Sequence, residues 1–385
     1  MDEKRRERDR RLEIFNTIME ERNLDGLIFT SIDQQTCQMA VKYATNYTLV
    51  TRRDFACMAK GKMPILMLPT VGHVSAALDV CWLPPENIVG DNMMERVKNF
   101  VAGLGKDHPR IGLYEPEQLP ISVHRELIAT GAEFEDITQR LTELRAPKSE
   151  YEMERIREAS RIAVRSFEWV VKHLRPGVTE REIIGGVEGY LRVEGAEETL
   201  VLTRTRKPHT FIARALDIPV QEDGVFVYSC EMAGPGGYWT QVVRPVFMQR
   251  GCQPEAYEVL QVIKEALAAG EAALKPGNRI CDVDAAIAEV VKKRGCHAGV
   301  WSGHGMGADL GDGIDIGMPN KMELKPNMVL TLHPSVMNQN RSDGLLYGNT
   351  YAVTESGFVN LTDGYADSCY LEDLLTEMET SGGCV

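Results

Sequence analysis

Apolar and polar positions alternate along this chain first with helical spacing, then with strand spacing, and the order of those patterns divides it. From Asp2 to Arg22 the apolar residues Leu12, Phe15, Ile18 and Met19 recur on one helical face. The Lys, Arg, Asp and Glu residues interleaved with them read as a solvated helix face rather than a nucleic-acid arm. Gly26-Leu-Ile-Phe-Thr30 follows as a buried strand. Phe55 to Lys60 and Met63 to Leu68 pattern as a hairpin across Gly61-Lys62. Arg110 to Glu115 and Glu133 to Ile137 are further strands, with helices between. Residues 1–145 are therefore expected to form a mixed α/β domain.

Arg145-Ala-Pro-Lys-Ser149 is the expected boundary, because proline biases its predecessor away from helix. Ser149 can then cap a long helix reaching about Leu174. That helix ends in Arg175-Pro-Gly-Val-Thr179, and Thr179 with Glu182 has capping-box spacing for a second helix running to Gly195. The arrangement recurs. A helix from Pro254 to Leu274 ends in Lys275-Pro-Gly-Asn278, and another follows to Gly295. Strands come after each pair: Leu200 to Arg206, Gly224 to Gly234 and Tyr238 to Met248 in the first half, then the Trp301 stretch, Asn327 to Met337 and Leu345 to Thr354. A repeated supersecondary unit implies an internal duplication over residues 146–371. Two like halves set face to face leave a cleft, where small ligands bind. Residues 372–385, acidic and then Ser/Gly-rich, are expected to be frayed or disordered.

Composition narrows the function classes. The 385 residues are too many for one ordinary domain, and 43% hydrophobic with 26% charged content is that of a globular protein. A net charge of −13 disfavours nucleic acid or an anionic membrane as partner. No apolar run approaches the roughly 18 residues of a membrane span. Met1 to Arg11 is charged throughout, so it is not read as a secretory signal. The nine cysteines are dispersed and contain no CxxC pair, which reads as reduced thiols in a cytoplasm.

Candidate chemistry gathers in the second half. Trp301-Ser-Gly-His-Gly-Met-Gly307 sets His304 between glycines, where backbone can approach closely. His209 follows Pro208, and His333 lies in an apolar strand where a polar group needs a partner or a task. A histidine titrates near neutrality and can move protons; its structural alternative is to satisfy backbone carbonyls. Cys230 is either a small hydrophobe or a thiolate beside a histidine. Tyr238, Trp239 and Tyr347 either wall a pocket or simply pack.

With these motifs the chain resembles the creatinase, prolidase, aminopeptidase P and methionine aminopeptidase superfamily, whose catalytic fold is called pita-bread. The resemblance is carried by Lys207-Pro-His209, Gly237-Tyr-Trp-Thr-Gln-Val-Val-Arg244, Gly303-His-Gly-Met-Gly307, Val329-Leu-Thr-Leu-His-Pro334 and Tyr347-Gly-Asn-Thr-Tyr-Ala-Val-Thr354. It implies an α/β (α+β) chain: a creatinase/prolidase-type N-terminal domain followed by a duplicated pita-bread domain. Metal-dependent members bind two divalent ions through two Asp, one His and two Glu. Here those positions fall on Cys230, Gln241, His304, His333 and Gly348, and a second catalytic His falls on Gly311. With no carboxylate left on that alignment, two hard cations lose the ligands that bridge and neutralise them.

Creatinase is the metal-free branch, and its catalytic histidine aligns with His209. Its guanidinium-binding glutamates align with Val243 and His333, so a creatine-like cation is a poor substrate. Its carboxylate-binding arginine aligns with Arg53, beside Arg52. Arg204, Arg206 and Arg244 are further cations expected near the pocket. The resemblance thus implies a metal-independent, cofactor-free, homodimeric hydrolase cleaving a C–N bond of a small carboxylate-bearing amide, urea-like or cyclic metabolite. His209 would be general acid/base, with His304 and His333 as the other catalytic residues. Arg53, Cys230, Tyr238, Trp239, Gln241 and Tyr347 would bind substrate. Three alternatives stand: a lyase acting by proton abstraction, a mononuclear zinc hydrolase using Cys230, His304 and His333, and a non-catalytic binding protein.

Overall fold

The computed structural model describes residues 2–32, 39–50, 53–317, 320–365 and 368–380. The chain divides into two compact units, Met1–Tyr151 and Glu152–Val385. Among the described residues no helix is long and apolar enough to cross a membrane.

In the first unit, α1 (Asp2–Glu21) buries Phe15, Ile18 and Met19 and leads to the wholly buried strand β1 (Gly26–Ser31). Next come α2 (Met39–Thr45), β2 (Asp54–Ala59), β3 (Ile65–Leu68), α3 (Gly72–Val80), β4 (Ile88–Gly90), α4 (Met93–Gly103), β5 (Arg110–Leu113), α5 (Ile121–Ile128), β6 (Glu133–Asp136) and α6 (Thr138–Arg145). The six strands form one mixed sheet in the order β4-β3-β2-β1-β5-β6. The hairpin expected around Gly61 is β2 against β3, with Phe55 opposite Met67.

The second unit opens with α7 (Glu150–His173) and α8 (Glu180–Val193). Thr179 caps α8 through a reciprocal box with Glu182, satisfying backbone donors at the helix start. Strands β7 (Glu198–Arg204), β8 (Val225–Ala233) and β9 (Trp239–Phe247) then form an antiparallel sheet. A second helix pair follows, α9 (Pro254–Ala273) and α10 (Ile280–Lys293). Both Pro-Gly breaks turn through a left-handed glycine, Gly177 at φ +85° and Gly277 at φ +87°, a conformation that costs glycine least. The repeat extends to the bridges: Thr179 pairs with Pro219, and Arg279 pairs with Glu323.

The short strands after α10 are β10 (His297–Ala298), β11 (Gly303–Gly305), β12 (Asp315–Ile316), β13 (Val329–Leu332), β14 (Ser335–Met337), β15 (Gly344–Leu346), β16 (Asn349–Val353) and β17 (Phe358–Asn360). They form two sheets, β12-β11-β13-β16-β17 and β10-β14-β15. The sequence pattern predicts single strands over Asn327–Met337 and Leu345–Thr354; each is instead broken in two. The first breaks at His333-Pro334, where proline cannot donate to a ladder. The second breaks at Tyr347-Gly348. At both places the chain passes from one sheet to the other.

The core of this unit lies between the helices and one face of β8 and β9, and includes Phe167, Val187, Phe226, Tyr228, Cys230, Met232, Val242 and Val246. The tail corrects an expectation: Leu371–Thr380 is a helix, α11, anchored by buried Leu374 and Met378, rather than a frayed segment. Residues 381–385 lie outside the described residues.

Candidate active site

Strand alternation decides which side chains can meet. On β8 the even-numbered residues enter the helix-side core. The odd-numbered residues face the other way, where Ser229 stands opposite Val243, Glu231 opposite Gln241 and Ala233 opposite Trp239. Strand β9 joins the second half of the unit through a bridge between Val243 and Gly348, with N–H···O distances of 3.0 and 3.2 Å. Thr350 fixes the register further, because its hydroxyl accepts from the Gln241 N–H at 2.9 Å.

Across from this hairpin, β11 pairs with β13 so that His304 lies opposite Thr331. His333, two residues further on and just past the end of β13, shares the His304 face, and the two rings meet edge-on with centroids 5.1 Å apart. His304 Nε2 lies 3.8 Å from a carboxylate oxygen of Glu231. Its Nδ1 is 3.0 Å from the Gly305 carbonyl, so Nδ1 carries the proton in the neutral ring.

This triad is buried and uncharged at neutral pH. Burial raises the Glu231 carboxyl to about 8. Burial, then the adjacent His304, brings His333 down to about 3. Burial also lowers His304, against opposing hydrogen bonds from backbone. A neutral imidazole gives Glu231 no charge to pair with, so the 3.8 Å contact does not reverse the effect of burial.

His209 belongs to a second constellation. Its Nδ1 lies 2.9 Å from Asp343 Oδ1, and its backbone N–H donates to the same oxygen at 3.0 Å. Gly344 N–H adds a third bond at 2.8 Å. Burial raises the Asp343 pKa, but the bonds and charge from His209 outweigh it and hold the carboxyl below its ordinary value. The Lys207 ammonium is 3.6 Å from the other carboxylate oxygen. The Thr210 and Ser335 hydroxyls lie 2.9 Å apart, tying the His209 segment to a residue two positions beyond His333.

Two expectations are corrected, those for Cys230 and Arg244. Cys230 does not face Glu231; it lies in the helix-side core, where burial pushes its thiol up to about 12. A thiol so held is neither a thiolate nucleophile nor a ready zinc ligand. Tyr347 lies under the Arg244 guanidinium, 4.7 Å away, with Lys264 at 5.9 Å from its ring. Arg244 is not a free pocket cation: it donates to the carbonyls of Val243, Gly348, Thr362 and Gly364 and to Asn349 Oδ1. Tyr238 precedes β9 and closes the hairpin turn, its carbonyl accepting from Gly234 N–H. Arg53 belongs to the first unit, where its Nε is buried without a hydrogen-bond partner among the described residues; Arg52 lies outside the described residues.

Sequence reasoning missed two residues. The resemblance places the first metal-ligand position on Cys230, whereas the ladder makes Glu231 the partner of Gln241. An acid amid the apolar residues of β8 was the available signal. Asp343 sits in an Asp-Gly turn, which from sequence reads only as a loop.

The donor set does not fit a pair of hard cations. It offers one carboxyl, held neutral, with a neutral amide at Gln241 and no side chain at Gly348. Among the described residues, no three His, Cys, Asp or Glu side chains gather as a metal-binding group.

Residues 154–355 match metallopeptidase family M24, and residues 11–146 match the creatinase/prolidase N-terminal domain. The chain belongs to family M24. An uncharacterized peptidase of Staphylococcus saprophyticus is 30% identical over 263 residues, covering 66% of this chain and 73% of that one. Peptidase YqhT of Bacillus subtilis, also uncharacterized, is 26% identical over 243 residues, covering 61% of this chain and 67% of its own. Among solved structures, the Xaa-Pro aminopeptidase of Thermotoga maritima superposes with a TM-score of 0.79 at 22% identity, over 93% of this M24 chain and 99% of its own. The prolidase of Pyrococcus horikoshii also gives 0.79, at 18% identity, over 92% and 98%. These likenesses establish the pita-bread fold for the M24 unit, and membership of the family makes the chain a peptidase-type hydrolase.

Proposed function

We propose that this M24 protein is a metal-independent hydrolase that cleaves the C–N bond of a small amide, urea-like or cyclic substrate, with His209 as its proton carrier. The observation that carries the reading is the His209–Asp343 pair. Two bonds to one carboxylate oxygen fix both the backbone and the ring of His209. That oxygen selects the tautomer with the proton on Nδ1, which leaves Nε2 as the basic atom.

In this reading His209 Nε2 takes a proton from water as the water oxygen adds to the carbonyl carbon. The C–N bond then breaks, and the imidazolium returns the proton to the departing nitrogen, so one water is consumed and the catalyst is regenerated. Glu231, held in its protonated form, supplies an uncharged donor toward the oxygen on which charge develops, while neutral His304, its Nδ1 proton committed to the Gly305 carbonyl, presents Nε2 beside it as an acceptor. The names of the structural neighbours, prolidase and Xaa-Pro aminopeptidase, make an amide to proline one natural candidate among such bonds.

The test is product release by chelator-treated protein from a panel of prolyl dipeptides, cyclic amides and ureas. Turnover without added metal that is lost in His209→Ala supports the reading. Turnover that requires an added divalent ion, or that survives in His209→Ala, contradicts it.

A further inference from the structure

Six buried side-chain polar atoms of this unit find no hydrogen-bond partner among the described residues; two, Arg244 Nε and Asp343 Oδ2, belong to charged groups described above, and the other four are Ser229 Oγ, Trp239 Nε1, Gln241 Oε1 and His333 Nε2. These four come from two segments remote from one another in sequence, the β8–β9 hairpin and the stretch at His333, which lie on either side of the Glu231–His304 contact. Ser229, Gln241 and Trp239 lie on the face of the β8–β9 hairpin that carries Glu231. His333 packs against His304, and its neighbour Gly348 is bridged to Val243, the cross-strand partner of Ser229. The backbone of Trp239 is held by its main-chain N–H, which donates to the Gly307 carbonyl at 2.7 Å.

A buried polar atom without a partner costs about 1–3 kcal/mol. Four around one point make a site whose partners come from a ligand. We infer that these atoms form a neutral subsite that binds an uncharged amide or urea group. The inference rests on the proposed function, for which it names the recognised group.

The chemistry of the four atoms gives that class. The Trp239 indole N–H can only donate, so the ligand must present an acceptor there. Gln241 can turn its amide to offer either oxygen or nitrogen, and Ser229 can donate or accept. A carbonyl beside an N–H, the pair found in primary and secondary amides and in ureas that keep an N–H, meets those demands together. None of the four side chains carries a formal charge, so an ionised group brought here would be desolvated without a counter-charge. The two positions that hold a guanidinium in the creatinase branch carry no acid here, being His333 and Val243, and the one carboxyl on this face, Glu231, is held neutral by burial.

The test is calorimetric titration of the chelator-treated full chain carrying His209→Ala, so that binding is read without turnover. The probes are hydantoin and cyclo(Gly-Pro) as uncharged amides, with creatine and guanidinoacetate as guanidinium compounds. The uncharged amides are expected to bind and the guanidinium compounds not to. Trp239→Phe, which keeps the aromatic bulk, is expected to weaken amide binding about tenfold, the loss of one hydrogen bond to a buried donor. Gln241→Glu should weaken it further and admit the guanidinium compounds. Binding of guanidinium compounds in preference to amides, no binding of either amide, or amide binding indifferent to both substitutions overturns the inference. Amide binding without turnover in the native protein leaves this inference standing and removes the catalytic reading. Turnover confined to a substrate ionised at the scissile group does the reverse.

Discussion

A Cβ atom on Gly348 would lie 2.4 Å from the Cβ of His333 and 2.4 Å from the Leu332 carbonyl oxygen. The two positions that resemble the metal-binding glutamates of the superfamily are therefore coupled by space. With this backbone, and a side chain on His333, position 348 has room only for hydrogen. Gly348→Ala is expected to cost roughly 1–3 kcal/mol through overpacking, and Gly348→Glu more than that. Denaturant unfolding measures both, and a neutral Gly348→Ala would mean that the strand break at 347–348 relaxes freely.

The Asp343 carboxylate fixes the His209 ring, so the two should fail together. His209→Ala and Asp343→Asn are each expected to lower turnover by about 10²–10⁴-fold, the usual range for a positioned acid–base group. The double variant should be little worse than either single one, because residues acting as a unit are not additive. Because Gly344 N–H also bonds Asp343 Oδ1, the melting temperature of Asp343→Asn is the control that separates lost chemistry from lost folding.

Stability should fall on both sides of a plateau near pH 5–6. Glu231 moves from an ordinary 4.5 up to about 8 on folding. Between those values the folded chain holds a proton that the unfolded chain has released, so this group's contribution is lost as pH rises. His333 moves from 6.5 down to about 3. There the unfolded chain holds the extra proton, and the contribution is lost as pH falls. The two oppose each other between 4.5 and 6.5. Above that window Glu231 acts without that opposition, with a slope of at most about 1.4 kcal/mol per pH unit for one proton. The plateau is that of the second unit; in the first unit Asp54, also raised to about 8 by burial, loses its contribution as pH rises from 3.8. Glu231→Gln is expected to flatten the limb from pH 6.5 to 8, and His333→Gln the acid limb. Unfolding titrations at half-unit pH steps check both.

Cys230→Ala tests the orientation of β8. A core thiol replaced by a methyl group should cost about 1–2 kcal/mol and leave ligand binding unchanged. A loss of binding at unchanged stability would put the thiol on the other face of the strand.

Much of the frame was legible from the chain alone, because helix periodicity, the Pro-Gly breaks and the Thr179–Glu182 cap are local signals. The matched left-handed turns at Gly177 and Gly277 are their three-dimensional counterpart. The site was less legible because its geometry is set by pairing. A shift of one residue separates Cys230 from Glu231, and a one-residue slip in a strand exchanges its two faces. The Asp343 contact to His209 spans 134 residues and leaves no periodic trace. The environment of Tyr347 was hidden for a similar reason: only packing shows that Arg244 covers its ring.

The central claim is that the Glu231, His304 and His333 cluster works without metal. Elemental analysis of the purified protein for zinc, manganese, iron and cobalt, before and after chelator, with thermal unfolding recorded alongside, tests it most directly. The account predicts less than a tenth of a metal ion per chain and an unfolding midpoint indifferent to chelator or to added divalent ions. One or two ions per chain, released by chelator with a lower midpoint and restored by one metal, would contradict it.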